Sequence, residues 1–369
     1  MKIIFQKDDL ARALDLVQRA AQNKITSNTN NGIYIHAADN LVEFQANDFS
    51  IAIKTTCPVI TEEEGDIVVA APQLPMMIRL LPAGEVTMEQ NKGEGFVKFS
   101  AGNAVYRFPI RSADDFPMVE TMENVGSCTV AASVLAEMVN LTQYAAATDK
   151  QKPFFTGILF EIRGSSFAMA ATNTHRLAAK EVTLSVPAEQ PGRMIVPASV
   201  MTEVVRMLPS DEDAEVVISW AKSHVAFAFG STYFISNLIN GEYPDYHRVI
   251  PTRFDSTAVL DLKAFREAVA MVSPISRDMS YKTINFNFED GRLDIYEEDK
   301  AIGSSRASIP AQLTGDPIHI IFNCFYVEDI LKHSKGETVI LHLLRNGPML
   351  VEQEEDKTYQ YVVTPMRGR

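Results

Sequence analysis

Runs in which apolar and polar residues alternate, such as Leu41 to Ala46 and Phe49 to Thr55, lie between stretches whose apolar positions recur every three or four residues. The first pattern predicts half-buried strands and the second predicts amphipathic helices. Gly32 to Ala37 reads as a further strand. Ile284 to Phe288 and Arg292 to Tyr296 flank Asp290-Gly291, a hairpin turn signal. Helical spacing is clear at Val200, Val204, Val205 and Leu208.

These patterns repeat. Asp66 to Pro82, Arg193 to Pro209 and Ile318 to Ser334 align without gaps, each a short β-branched run followed by a helix-forming stretch. Their starts lie 127 and 125 residues apart, close to one third of the 369-residue chain. A second helical family, Asp9 to Gln22, Ser133 to Ala146 and Lys263 to Ser276, precedes them. A third echo follows: Tyr106 to Ser112, Tyr233 to Ile239 and Tyr359 to Pro365. The chain therefore reads as three tandem units, 1–122, 123–250 and 251–369. Each holds two copies of strand, helix, then several antiparallel strands, which makes six similar half-units in an α+β fold.

Hydrophobic residues at 46% and charged residues at 22% describe an ordinary globular chain and exclude a disordered one. The formal charge of −13 excludes a surface that coats nucleic acid everywhere, so contact with nucleic acid requires a local patch. Cys57, Cys128 and Cys324 are far apart with no CxxC pair, so neither a disulfide framework nor a metal site is expected. Charge enters within Met1 to Asp9, and no apolar run approaches the length of a membrane span, so a cytoplasmic protein is expected.

Geometry constrains what the units can enclose. A compact unit of a third of the chain has a radius of gyration of roughly 14 Å, hence a diameter of about 35 Å. Three such spheres in a triangle leave a hole about 5 Å wide, whereas six in a hexagon leave about 35 Å. A duplex roughly 20 Å across passes only the larger hole, which requires two chains. The six helical windows carry eight Lys and Arg against seven Asp and Glu, so the rest of the chain holds a charge of −14. Helices lining the hole would thus be its least acidic surface, and Arg12, Arg19, Lys24, Arg79, Lys152, Arg206, Lys263 and Arg266 are the phosphate-contact candidates.

Four segments carry a resemblance over essentially the whole length. They are Ala171-Thr172-Asn173-Thr174-His175-Arg176-Leu177-Ala178, the run from Asn240 to Val249, Asp115-Phe116-Pro117, and the C-terminal stretch from Tyr361 to Arg367. In order and spacing they resemble the bacterial sliding clamps, the β subunits of the replicative DNA polymerase. That resemblance implies three copies of a DNA-clamp domain, each two helices plus antiparallel sheets, joined as a head-to-tail homodimeric ring around duplex DNA. It implies a peptide-binding pocket at Phe155, Thr172, Thr174, His175, Arg176, Leu177, Pro244, Arg248, Val249, Val362, Val363, Pro365, Met366 and Arg367. Its partners would be the polymerase III α subunit, the clamp loader and other polymerases and repair proteins. Asn173-Thr174 departs from the family's Asp-Gly, and Thr takes a positive φ only under strain. The resemblance also implies a dimer contact through Ala104 to Ile110, with Tyr106 and Phe108 as anchors. These would meet Met271, Val272 and the strand around Gly303 to Ile309 of a second chain, and Pro109 suits an edge strand because it has no N–H to donate.

An enzyme reading finds little chemistry: there is no Walker A loop, GxSxG, HExxH or GxGxxG, and no cofactor is expected. Asp149, His175 and Arg176 would form a reactive site only if the fold converged them. The other reading is a repeat scaffold that binds protein partners without encircling DNA.

Overall fold

A computed structural model describes residues 1–21, 32–69, 72–123, 125–149, 151–278 and 281–366. Lys24 and Arg367 lie outside the described residues. The helices are α1 (Lys7–Val17), α2 (Leu74–Arg79), α3 (Ala132–Thr142), α4 (Ala198–Met207), α5 (Leu262–Asp278) and α6 (Cys324–His333). Their apolar spacing explains which faces are buried. Leu10, Ala13, Leu14 and Val17 of α1 and Val200, Met201, Val204 and Met207 of α4 each form one buried stripe. Asp8 and Asp9 sit in the first turn of α1, where the exposed N–H groups favour negative charge. The Asn323 side chain caps α6 by accepting from the Phe325 N–H at 3.0 Å.

The chain divides into two compact units. The first comprises Met1–Leu135, Ala188–Gln190 and Val200–Leu238. It contains a 13-stranded antiparallel sheet, in the order Gly126–Ala131, Glu215–Trp220, His224–Phe229, Thr232–Asn237, Ile51–Pro58, Leu41–Asn47, Ile33–Ala38, Gly65–Val69, Ala104–Arg111, Phe96–Ala101, Glu85–Glu89, Lys2–Gln6 and Ile60–Glu63. The second comprises Ala136–Pro187, Pro191–Ser199 and Ile239–Arg369. Its nine-stranded sheet runs Gly192–Pro197, Gly157–Arg163, Ser166–Thr172, Arg176–Thr183, Tyr359–Val363, Met349–Gln353, Thr338–Leu343, Ser256–Asp261 and Gln312–Gly315. A four-stranded sheet, Gly303–Pro310, Arg292–Asp299, Thr283–Glu289 and Ile318–Asn323, completes it.

The repeat read from the sequence reappears as identical hydrogen bonding. The N–H of Lys7, Ala132 and Leu262, at the start of the first helix of each repeat, donates to the carbonyl of Gly84, Ala214 and Glu337 at 2.9, 2.8 and 2.8 Å. More telling are two seams where strands of successive repeats meet. In the first unit Ile51, Ala52, Ile53, Lys54 and Thr55 pair with Ser236, Ile235, Phe234, Tyr233 and Thr232. In the second, Arg176, Leu177, Ala178, Ala179 and Lys180 pair with Val363, Val362, Tyr361, Gln360 and Tyr359. Moving one strand on by 125 residues and the other by 127 superposes the two registers pair for pair. Because side chains alternate faces with a period of two, a one-residue slip would turn every buried group outward, so this register is tightly specified.

Three expectations need correction. Phe49 does not open a strand: the strand starts at Ile51, and Phe49 sits in the preceding turn with φ +67°. Phe108 and Val272 are buried inside their own chain, so neither is available as a contact surface. Phe108 packs edge-on against Phe99 with ring centres 5.8 Å apart, and Val272 lies on the inward face of α5. Tyr106 is half-buried and Met271 is 62% exposed. The backbone around them does present edges. Among the described residues strand Ala104–Arg111 meets Gly65–Val69 at Ile110 and Arg111 alone, and Gly303–Pro310 ends the four-stranded sheet.

At the first seam the Thr55 and Thr232 hydroxyls, both buried, share a hydrogen bond of 2.9 Å. Thr55→Val strands the Thr232 hydroxyl and is expected to cost about 1–3 kcal/mol, whereas Thr55→Val with Thr232→Val is expected to be close to neutral. Urea unfolding of the single and double variants measures both; equal destabilisation by the two would show that the pair contributes nothing.

Candidate functional site

The second seam ends in a turn, Asn173 to His175, whose conformation is built from its own side chains. The Asn173 Oδ1 accepts from the N–H groups of His175 and Arg176, each at 3.0 Å, and the Thr172 hydroxyl accepts from the Thr174 N–H at 3.1 Å. Thr174 is held at φ +77°, so this turn does demand the left-handed conformation that a glycine would adopt freely. The Thr364 N–H donates to the His175 carbonyl at 2.9 Å and ties the turn to the chain beyond the last strand.

Behind the turn lies a buried polar cluster. Arg176, only 10% exposed, donates through Nη1 to Asp329 Oδ2 at 2.5 Å and through Nη2 to the Tyr144 carbonyl. Its guanidinium lies 4.6 Å from the Tyr326 ring centre and 5.5 Å from that of Tyr144. Asn173 Nδ2 donates to the Tyr326 hydroxyl at 3.1 Å. The Tyr144 and Tyr359 hydroxyls are 2.5 Å apart, and the Tyr361 hydroxyl donates to the Tyr326 carbonyl at 2.9 Å. Burial pushes the hydroxyls of Tyr144, Tyr359 and Tyr361 well above the ordinary tyrosine range, so they stay neutral hydrogen-bonding groups. The cluster fixes the turn to α6 and to the 3-10 turn Gln143–Ala145.

In front of the turn is a cavity of about 580 Å³. Its floor is apolar: Phe155, Leu177, Tyr243, Tyr246 and Val362 are buried and belong to one core cluster, with Phe155 edge-on to Tyr243 at 5.7 Å. Its rim carries polar groups: His175 and Arg248 are exposed, and Arg248 Nε donates to Asp245 Oδ2 at 3.1 Å. The His247 and Arg248 side chains hold the Asp245 carboxyl below its ordinary range. An apolar floor with a few convergent polar groups suits a ligand that buries one or two apolar side chains and keeps polar backbone at the rim.

Of the residues expected here, Phe155, Thr172, Thr174, His175, Arg176, Leu177, Pro244, Arg248, Val249 and Val362 line this cavity. Val363, Pro365 and Met366 do not. Val363 follows Val362 on a strand and so faces the opposite side, where it is fully buried. Beyond it the chain turns away, and the Met366 N–H donates to the Ile321 carbonyl at 2.8 Å. Tyr243, Asp245, Tyr246, Pro251, Pro348 and Thr364 complete the lining without having been foreseen.

The candidate phosphate contacts are largely engaged within the protein. Arg12 lies 3.8 Å from Asp9, Arg79 Nε donates to Asp15 at 3.2 Å, and Arg19 and Arg206 both pair with Glu203. Arg266, exposed, donates to the carbonyls of Leu331 and Ser334 at the end of α6. Lys152 sits 5.9 Å over the Phe155 ring beside the cavity, and Lys263 is exposed. The cysteines are buried, and burial pushes the thiols of Cys57 and Cys128 to about 12 and that of Cys324 to about 11.

The left-handed Thr174 stores strain of about 1–2 kcal/mol, of which roughly 0.5–1 is offset in a glycine variant by added unfolded-state freedom. Thr174→Gly is therefore expected to raise stability by up to about 1 kcal/mol, read as a higher thermal midpoint. A clear fall in the midpoint would show that the threonine side chain supports the turn.

Family models for the DNA polymerase III beta subunit match in chain order: the N-terminal domain at residues 1–120, the central domain at 129–245 and the C-terminal domain at 247–367. The chain is 25% identical to the beta sliding clamp of Bacillus subtilis over 380 aligned positions that span all of both chains. It is 27% identical to that of Synechocystis sp. over 390 positions, covering 100% of this chain and 99% of the other. A crystal structure of the Bacillus subtilis DNA polymerase sliding clamp superposes with a TM-score of 0.94 at 25% identity, and one of the Pseudomonas aeruginosa sliding clamp bound to griselimycin with 0.94 at 26%, each over the full length of both chains. With three successive repeats matched by the three domains of one subunit, in the same order and at the same spacing, this chain belongs to the DNA polymerase III beta subunit family.

Proposed function

We propose that the chain is a sliding clamp: a processivity factor that encircles duplex DNA as a head-to-tail homodimer and tethers the replicative polymerase through the cavity in front of Thr172–Leu177. The three clamp domains would run 1–122, 123–250 and 251–369. The observation that carries the proposal is the apolar cleft itself, set on a rigid strand seam and braced by the buried Arg176 cluster, in a chain of this family. A linear peptide from polymerase III α, the clamp loader or a repair polymerase would seat apolar side chains on Leu177, Tyr243 and Val362. Its polar groups would meet the rim at His175 and Arg248.

The ring closes when strand Ala104–Arg111 of one chain pairs with Gly303–Pro310 of the other, two different surfaces in a heterologous contact. Val105 at 50% and Met271 at 62% exposure, with half-buried Tyr106, are the apolar groups at those edges. Contacts to DNA are diffuse and made through phosphates, so the ring slides. Tethering acts by effective concentration: a polymerase that lets go stays beside its template and rebinds. No chemistry on the substrate is required. The protein acts in the cytoplasm, and among the described residues no helix is long and apolar enough to cross a membrane.

Retention on nicked circular DNA tests encirclement directly. After loading, the protein is expected to stay on the circle through a salt wash and to be lost when the DNA is cut linear; equal retention on both forms would refute a topological link. Val249→Glu places a charge at the exposed rim of the cleft and is expected to abolish binding of a polymerase-derived peptide while leaving retention on circular DNA unchanged. Undiminished peptide binding would locate the tether elsewhere.

A further inference from the structure

The 125- and 127-residue shifts that superpose the two strand seams also carry much of the cleft of the second unit onto a place in the first. The turn Asn47 to Ile51 corresponds to Thr172 to Arg176, and Phe116-Pro117 corresponds to Tyr243-Pro244. The correspondence extends to fine geometry. Phe49 occupies the position of Thr174 and shares its left-handed backbone, φ +67° against +77°. The Asn237 N–H donates to the Ser50 carbonyl at 3.0 Å, as the Thr364 N–H does to that of His175 at 2.9 Å. At the corresponding place there is again a cavity, of about 260 Å³, bounded by Phe49, Met118, Ile235 and Asn237 among others.

Two features set this place apart from a by-product of the repeat. Phe49 is 65% exposed and Met118 49% exposed, so two large apolar side chains stand in water at the mouth of the cavity. Phe49 also bears the cost of a left-handed backbone although it contributes nothing to the core. Its conformation is actively maintained: its N–H donates to Asn47 Oδ1 at 2.8 Å, and its carbonyl accepts from Asn237 Nδ2 at 2.9 Å. Strain held in place at an exposed apolar mouth is the arrangement found where a protein presents a side chain to a partner.

Size and charge define the occupant. The cavity has less than half the volume of the other cleft, which leaves room for a single branched aliphatic side chain. The larger cleft is lined by Arg176, Arg248 and His175 against a single carboxylate, Asp245, whereas among the described residues lining the smaller one Glu120 and His224 are the ionisable groups. We infer that the first unit carries a second, independent peptide cleft, which receives one leucine-sized side chain flanked by a lysine or arginine that faces Glu120. This site goes beyond the polymerase-tethering cleft: it gives each chain a second docking point of opposite charge preference, so that two different peptides can be held at once.

Two acetylated, amidated tetrapeptides, Ser-Leu-Lys-Ser and Ser-Leu-Glu-Ser, added to the full-length protein labelled at methionine and isoleucine methyls, test the inference by NMR. The lysine peptide is expected to shift the Met118 and Ile235 methyl signals saturably, and to bind about threefold more tightly than the glutamate peptide. Glu120→Lys is expected to reverse that order, and Phe49→Asn, which tolerates the same backbone, to weaken both peptides. Absence of saturable shifts at Met118 and Ile235, shifts confined to Ile250 beside the larger cleft, or an order of affinity unaltered by Glu120→Lys would each overturn it. None of these outcomes bears on retention on circular DNA, so the second cleft stands or falls separately from the clamp function.

Discussion

The arrangement depends on a backbone constraint: antiparallel pairing between strands of successive repeats at a fixed register. Ile51 to Thr55 with Thr232 to Ser236, and Arg176 to Lys180 with Tyr359 to Val363, turn separate sheets into continuous ones. A continuous sheet leaves few internal edges and holds the ends of its strands in place. The turn that opens one strand of each seam is therefore set against the chain that closes the other, and a cleft forms there. The position of both clefts is a consequence of register, because side chains one step out of phase would point to the opposite face.

What distinguishes the two clefts is the support behind each turn. Behind Thr174, Arg176 is desolvated but compensated by Asp329, the Tyr144 carbonyl and two aromatic faces. An arginine buried without those partners would be costly, so the cluster and the turn specify each other. The result is a pre-shaped site, which lowers the ordering cost of binding a flexible peptide. In the first unit the equivalent of Arg176 is Ile51, an apolar residue, and the turn is instead held by Asn47, Asp48 and Asn237.

Much of this was legible in the sequence, and the remainder was hidden for physical reasons. The three-fold repeat could be read because period-two and period-3.6 patterns recur at nearly constant spacing, and the residues from Thr172 to Leu177 and from Pro244 to Val249 stood out as compact motifs. Tyr144, Tyr326 and Asp329 gave no signal: Tyr144 lies far in sequence from Tyr326 and Asp329, which share α6, and only tertiary packing gathers all three around Arg176. Pro348 enters the cleft from a turn that carries no motif of its own. Val363 was misplaced because strand alternation separates it from Val362, and Met366 because the chain beyond the strand bonds to Ile321. Arg266 looked like a free surface cation, since a sequence cannot reveal that the carbonyls ending α6 lie within its reach. Phe49 fitted a strand pattern, and only the turn geometry shows that it is presented to solvent.

Encirclement depends on the number of chains, because one chain provides six half-units grouped into three domains and a duplex-sized opening needs six domains. Sedimentation equilibrium of the full-length protein at micromolar concentration measures this without DNA or partners. The predicted result is a single species of twice the chain mass of 40.9 kDa. A species of 40.9 kDa that persists as concentration is raised would contradict it.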